Sequence, residues 1–252
     1  MIKRLPVTVF CALLFAFNLD VSAQFGGLKK ALGKDSSLLS NPMNKLGGKG
    51  GGGLSKDEIV SGLKEALKVA TDSSTSVLHK ADGFFASEAV KILMPEEAKK
   101  AEKTLRGMGM SPLVDKAILS MNRAAEDAAG GVTSIFRDAI THMSISDGLN
   151  ILKGNNDAAT VFLRNTTTAQ LTEKMRPVIE AALQKANATA YWKDVFTQYN
   201  RFSMQKVNPD LTAYVTERTL EGLFYFIAQE EKNIRKNPAA RVNDILKKVF
   251  AN

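Results

Sequence analysis

Residues 111–131 read SPLVDKAILSMNRAAEDAAGG. Proline is tolerated in a first helical turn, where its missing N–H would have no intrahelical partner. After it Val114, Ala117, Ile118, Met121, Ala125 and Ala128 recur at three- and four-residue intervals. That spacing places them on one face of a helix, and Gly130-Gly131 marks its end. The pattern is amphipathic and alanine-rich, and the segments on both sides repeat its logic.

Toward the C-terminus, helical segments are predicted over about 132–143, from the Ser144-Ile145-Ser146-Asp147 box to Lys153, and from Asp157 to Arg164. Thr167-Thr168-Ala169-Gln170 reads as a further capping box. It opens a helix with Leu171, Met175, Ile179, Ala182, Leu183 and Ala186 inward and a kink expected at Pro177. Tyr191, Val195, Phe196, Tyr199 and Phe202 continue at helical spacing, while Trp192 falls off that stripe and is expected at the surface. Asn208-Pro209 and Asn237-Pro238 each resemble a cap followed by a first-turn proline. The first opens a helix burying Val215, Leu220, Leu223, Phe224 and Ile227; the second opens one burying Ile245, Leu246, Val249 and Phe250.

Toward the N-terminus, Pro95 with Glu96-Glu97 starts a helix carrying Ala98, Ala101 and Leu105, which Gly107 and Gly109 end. Before it, Ser55-Lys56-Asp57-Glu58 forms a capping box for a helix with Ile59, Leu63, Leu67 and Ala70 on one face, interrupted at Gly83-Phe84-Phe85. No segment alternates apolar and polar residues as a half-buried strand would. The expected fold is all-α, a single bundle-like domain of about nine to eleven helices over residues 54–252.

Two other regions precede that domain. Residues 24–53 end in the run GGKGGGG and are expected to form a flexible Gly/Lys-rich linker. The linker reads either as a basic tether to an anionic surface or as a spacer. Met1-Ile2-Lys3-Arg4, an apolar run from Leu5 to Phe17, and Val21-Ser22-Ala23 have the form of a secretory signal peptide cleaved after Ala23. The apolar run is well short of the roughly 20 residues that span a bilayer, so no transmembrane segment is expected after cleavage. The single cysteine, Cys11, lies inside the signal, which leaves the exported chain without disulfides and dependent on apolar burial.

The formal net charge is +8, and five lysines against Asp35 alone place about half of it in residues 24–53. The folded part is close to balance. A nucleic-acid binder concentrates basic side chains on a folded face, often beside aromatic stacking partners, so nucleic acid is not an expected partner.

Motifs for catalysis are missing. There is no Gly-x-Ser-x-Gly and no phosphate loop. The two histidines are His79, near a helix end, and His142, four residues after Asp138. The second pair reads as a surface histidine beside a carboxylate, because two ligands do not complete a metal site. No cofactor and no metal are expected. Charged residues among the apolar stripes are the remaining candidates: Asn122, Arg123 and Glu126 on one turn, and Glu217, Glu221, Glu230, Glu231, Arg235 and Arg241 near the C-terminus. Glu231 and Arg235 are four apart in the order that favours pairing. The cluster reads as a solvated face, as interhelical ion pairs or as a ligand site. Arg123 and Glu126 are expected to meet Glu217, Glu221 or Glu230 in one buried network between helices.

The stretches GLKEALKVAT (62–71), SMNRAAEDAA (120–129), NPDLTAYVTERTLEGLFYFIAQEEKNIRKNPAAR (208–241) and LKKVF (246–250) resemble a bacterial family of exported proteins, domain of unknown function forty-one ninety-seven. The resemblance runs from about Ser55 to the C-terminus. It implies an exported helical domain and no particular activity. Asn122, Arg123, Glu126, Tyr214, Glu217, Gly222, Glu230, Glu231, Arg235 and Arg241 match the family's characteristic positions, with no role attached to any of them.

Two functions fit these readings. The first is a non-catalytic protein of the envelope, periplasmic or extracellular, that binds a partner protein or a small apolar ligand in a groove between helices. The alternative is a hydrolase using Glu217, Glu230 and Glu231 with Arg123 or Arg235, which requires those carboxylates to converge in a cleft with at least one pKa raised. The sequence leaves the oligomeric state open.

Overall fold

The computed structural model describes residues 55–189, Trp192, residues 210–237 and Lys247. Among them are seven α-helices: α1 (Lys56–His79), α2 (Lys99–Gly107), α3 (Ser111–Ala129), α4 (Thr133–His142), α5 (Ile145–Lys153), α6 (Ala158–Lys185) and α7 (Leu211–Lys236). A 3-10 turn, Glu96–Ala98, leads into α2. No strand occurs among the described residues. The fold of the described residues is all-helical, with seven helices against the nine to eleven expected over residues 54–252.

Part of that difference has a local cause. The segments at 157–164 and from Thr167 onward are one continuous helix, α6. The Thr167 hydroxyl does not cap a helix start; it donates to the Leu163 carbonyl one turn back, as Thr168 does to Arg164 and Thr172 to Thr168. A hydroxyl engaged this way lets the helix run through a threonine cluster that reads locally as a boundary. Pro177 lies within α6 on its exposed side. The expected helices at Tyr191–Phe202 and after Asn237 fall outside the described residues, Trp192 and Lys247 apart, as does the linker at 24–53.

Other helix ends match their sequence signals. Ser55 Oγ accepts from the Glu58 N–H, and the Glu58 carboxylate accepts from the Ser55 N–H. Ser144 and Asp147 repeat this box at α5, and the serine's hydrogen bonds hold the Asp147 carboxyl below its ordinary range. Gly109, at φ 80°, ends α2: its N–H reaches the Arg106 carbonyl, and the Met110 N–H reaches back to Leu105. Only glycine adopts that backbone without strain. At α7 the cap is Asp210, accepting from the Ala213 N–H; the expected cap, Asn208, lies outside the described residues.

α6 packs on α7 and α3, while α1 lies across α7, α4, α3 and α5. Leu163, Leu171, Met175, Ile179 and Leu183 form one fully buried line along α6. Phe136 of α4 meets Phe224 of α7 edge to face, with ring centroids 6.0 Å apart. Trp192, expected at the surface, is buried and stacks on Tyr214 at 6.2 Å, so it belongs to the core. No helix among the described residues is long and apolar enough to cross a membrane.

Candidate functional site

Alanines line a cavity in the bundle. Ala101 of α2, Ala117 and Ala124 of α3, and Ala182 near the end of α6 face one another across a gap that their methyl groups do not fill. The result is a cavity of about 660 Å³, further lined by Leu105, Met121, Trp192 and Leu211. That volume falls within the range of about 300–1,000 Å³ typical of small-molecule sites, and the mostly apolar lining suits an apolar occupant. Five charged side chains also line it: Glu102, Lys116, Arg123, Asp127 and Lys185. Glu102 is engaged by Arg106, and Arg123 by Glu126 and Asp82. Lys116 and Lys185 are exposed and have no ionic partner among the described residues.

Of the polar residues singled out in the sequence that are described, only Arg123 lines this cavity. Asn122 and Glu126, both buried in α3, bind the backbone of the non-helical segment at 80–95. The Asn122 amide accepts from the Ile92 N–H at 2.9 Å and donates to the Ile92 carbonyl at 2.8 Å. Glu126 Oε1 accepts from the Phe84 and Phe85 N–H groups, both at 3.1 Å. Its Oε2 accepts from Arg123 at 2.6 Å, and Arg123 extends to Asp82 at 2.8 Å.

α7 grips the same segment from the other side. The Tyr214 hydroxyl donates to the Leu93 carbonyl at 2.7 Å. Phe84, fully buried, lies so close to Gly222 that a Cβ there would stand 2.6 Å from its ring. A glycine at 222 is therefore what lets the phenyl ring seat against the helix.

A second fastener sits at the other end of α7. The first turn of α6 has unpaired N–H groups, and Asp157 makes no side-chain cap. Glu231 takes that role from 72 positions away: it accepts from the Ala159 N–H at 3.0 Å and from the Thr160 N–H and hydroxyl, both at 2.9 Å. Arg235 donates to Glu231 at 2.8 Å and to the Ile151 carbonyl at the end of α5, also at 2.8 Å. The carboxylate thus faces the positive end of one helix and the guanidinium the negative end of another.

These positions correct the expected single network. Arg123 and Glu126 do not meet Glu217, Glu221 or Glu230; they hold the 80–95 segment, which lies between α3 and α7, and Arg123 is 42% exposed. Glu217 and Glu221 are exposed beside Arg218. Burial pushes the Glu230 carboxyl above its usual range, against a hydrogen bond from Asn233. Glu217 and Glu231 are separated by about 21 Å of helix axis, at 1.5 Å per residue, too far to share a reacting atom. Arg241 lies outside the described residues.

Neither histidine builds a site. His142 Nδ1 bonds the backbone carbonyl of Asp138, not its carboxylate as expected, and His79 Nδ1 lies 2.9 Å from the backbone oxygen of Glu126. No group of three or more metal-ligating side chains occurs among the described residues. Sequence reasoning missed Asp82 and the seating of Phe84; it put Ala101, Ala117 and Ala182 on apolar faces without showing that a cavity lies between them.

No curated protein and no solved structure matches the chain. A family model does match, over residues 53–251, nearly all of the helical part. The chain therefore belongs to the family described as protein of unknown function DUF4197.

Proposed function

We propose that this is an exported, non-catalytic protein of the bacterial cell envelope that holds a small apolar molecule in the cavity between α2, α3 and the end of α6. The supporting observation is the cavity itself, about 660 Å³ and walled largely by alanine, leucine and methionine side chains. An apolar ligand gains by leaving water for such a space, at roughly 25 cal/mol per Å² of surface buried. The signal-like first 23 residues support export. The hydrolase alternative loses ground because Glu217 is exposed about 21 Å along α7 from Glu231, and Glu231 is engaged by two backbone N–H groups, the Thr160 hydroxyl and Arg235.

N-phenyl-1-naphthylamine, an uncharged probe that fluoresces in apolar surroundings, tests the reading. The mature chain should bind it saturably. Ala117→Trp places an indole in the cavity and should weaken binding at least about tenfold, which corresponds to about 1.4 kcal/mol. Unchanged binding by that variant, or no binding by the parent chain, contradicts the proposal.

A further inference from the structure

Ala98 and Val114 are each 1% exposed, and no residue between them is buried. This is the longest such run among the described residues, and it holds the whole of α2. A helix this short is marginal in water by itself, so it depends on what it packs against. Its main partners are α3 and the 3-10 turn before it. Its inward residues, Ala101, Glu102 and Leu105, line the cavity.

Little else ties α2 down. Lys99 pairs with Glu96, and the Glu102 carboxylate accepts from Arg106 within the helix itself. Among the described residues one side-chain contact joins α2 to another helix, Arg106 to Asp115 of α3 at 2.9 Å. Asp115 is 63% exposed, so water screens that pair and it holds weakly. At the far end of the helix, a Cβ on Gly107 or Gly109 would meet no atom within 4 Å, so close packing requires neither glycine. Gly109 serves the turn at φ 80°, and Gly107 leaves the last turn of α2 easy to unwind. Local opening costs least where few apolar contacts break, and the segment between Ala98 and Val114 is such a place.

We infer that α2 is a movable lid on the cavity. It swings between two fixed points, the buried Ala98 and Val114, while α3 and the buried line of α6 stay in place. Lifting it removes the wall made by Ala101, Glu102 and Leu105 and admits the ligand; Arg106 and Asp115 latch it closed. That the lid serves a ligand rests on the proposed cavity function. Its mobility does not.

Hydrogen exchange and stopped-flow uptake of the naphthylamine probe, both on the full mature chain, test the lid. Amides of residues 99–107 should exchange at least about tenfold faster than those of residues 163–183, and saturating probe should slow the former selectively. Two variants outside the cavity lining push the lid in opposite directions. Asp115→Asn removes the latch and should speed both α2 exchange and probe uptake about two- to fivefold. Gly107→Ala fits the helical backbone, stiffens it, and should slow both by a similar factor of about two to five. Release should change in step with uptake, so affinity moves less than either rate. α2 amides as protected as those of residues 163–183, or uptake rates that follow neither variant, overturn the inference. A chain that takes up no probe removes the cavity function, and the lid then stands or falls on the exchange rates alone.

Discussion

Glu231→Ala should cost the domain about 3–5 kcal/mol, the usual result of removing one partner from a buried ion pair. The carboxylate is 4% exposed, and every group around it is a donor: two backbone N–H groups and a hydroxyl of α6, and the Arg235 guanidinium. Alanine would leave the first turn of α6 uncapped and a guanidinium, 10% exposed, without its counter-charge. Glu231→Gln is the sharper control. It keeps the shape but turns an NH2 toward donors, so it should lose much of the same stability. Urea unfolding reads both, and a loss under about 1 kcal/mol for Glu231→Ala would place the residue with ordinary surface pairs.

Glu126→Ala should cost about 3 kcal/mol or more, because each buried donor left unmade costs about 1–3 kcal/mol and two are lost at Phe84 and Phe85. Arg123→Ala should cost under about 1 kcal/mol, as for exposed pairs. The arginine is 42% exposed, and Glu126 keeps both backbone partners without it. The contrast between neighbours in one ion pair is diagnostic. If the pair itself held the structure, the two losses would be similar; if the carboxylate holds the 80–95 segment, only Glu126→Ala is severe. The same unfolding series decides.

How much of this was legible follows the range of each interaction. The Ser55-Glu58 and Ser144-Asp147 boxes act within one turn, and the sequence displays them whole. The buried faces of α3 and α7 follow from spacing in the same way. Thr167 shows where local reading fails: a threonine ahead of polar residues signals a helix start, yet its hydroxyl bonds backward and α6 continues. Glu231 and Arg235 were readable as a pair at four-residue spacing. Their actual partners, at the start of α6 and the end of α5, depend on how the helices pack, which spacing along α7 does not encode. Trp192 was misplaced for a related reason. It is buried and stacks on Tyr214 of α7, a contact that spacing around residue 192 does not reveal. The cavity was hidden too, since an alanine stripe says which face turns inward and not whether the facing helix fills the space.

Two kinds of residue emerge from this division. The polar positions that attract notice in the sequence mostly fasten helices and the 80–95 segment together, while the candidate binding surface is made of plain alanines, leucines and methionines. The most direct test is methyl NMR of the mature chain, with labelled alanine and methionine, during titration with the naphthylamine probe. Binding in the cavity predicts saturable shifts at Ala101, Ala117, Ala124, Ala182 and Met121, and none at Ala159 beside Glu231. Shifts centred on Ala159, or no shifts at the cavity methyls, would contradict it.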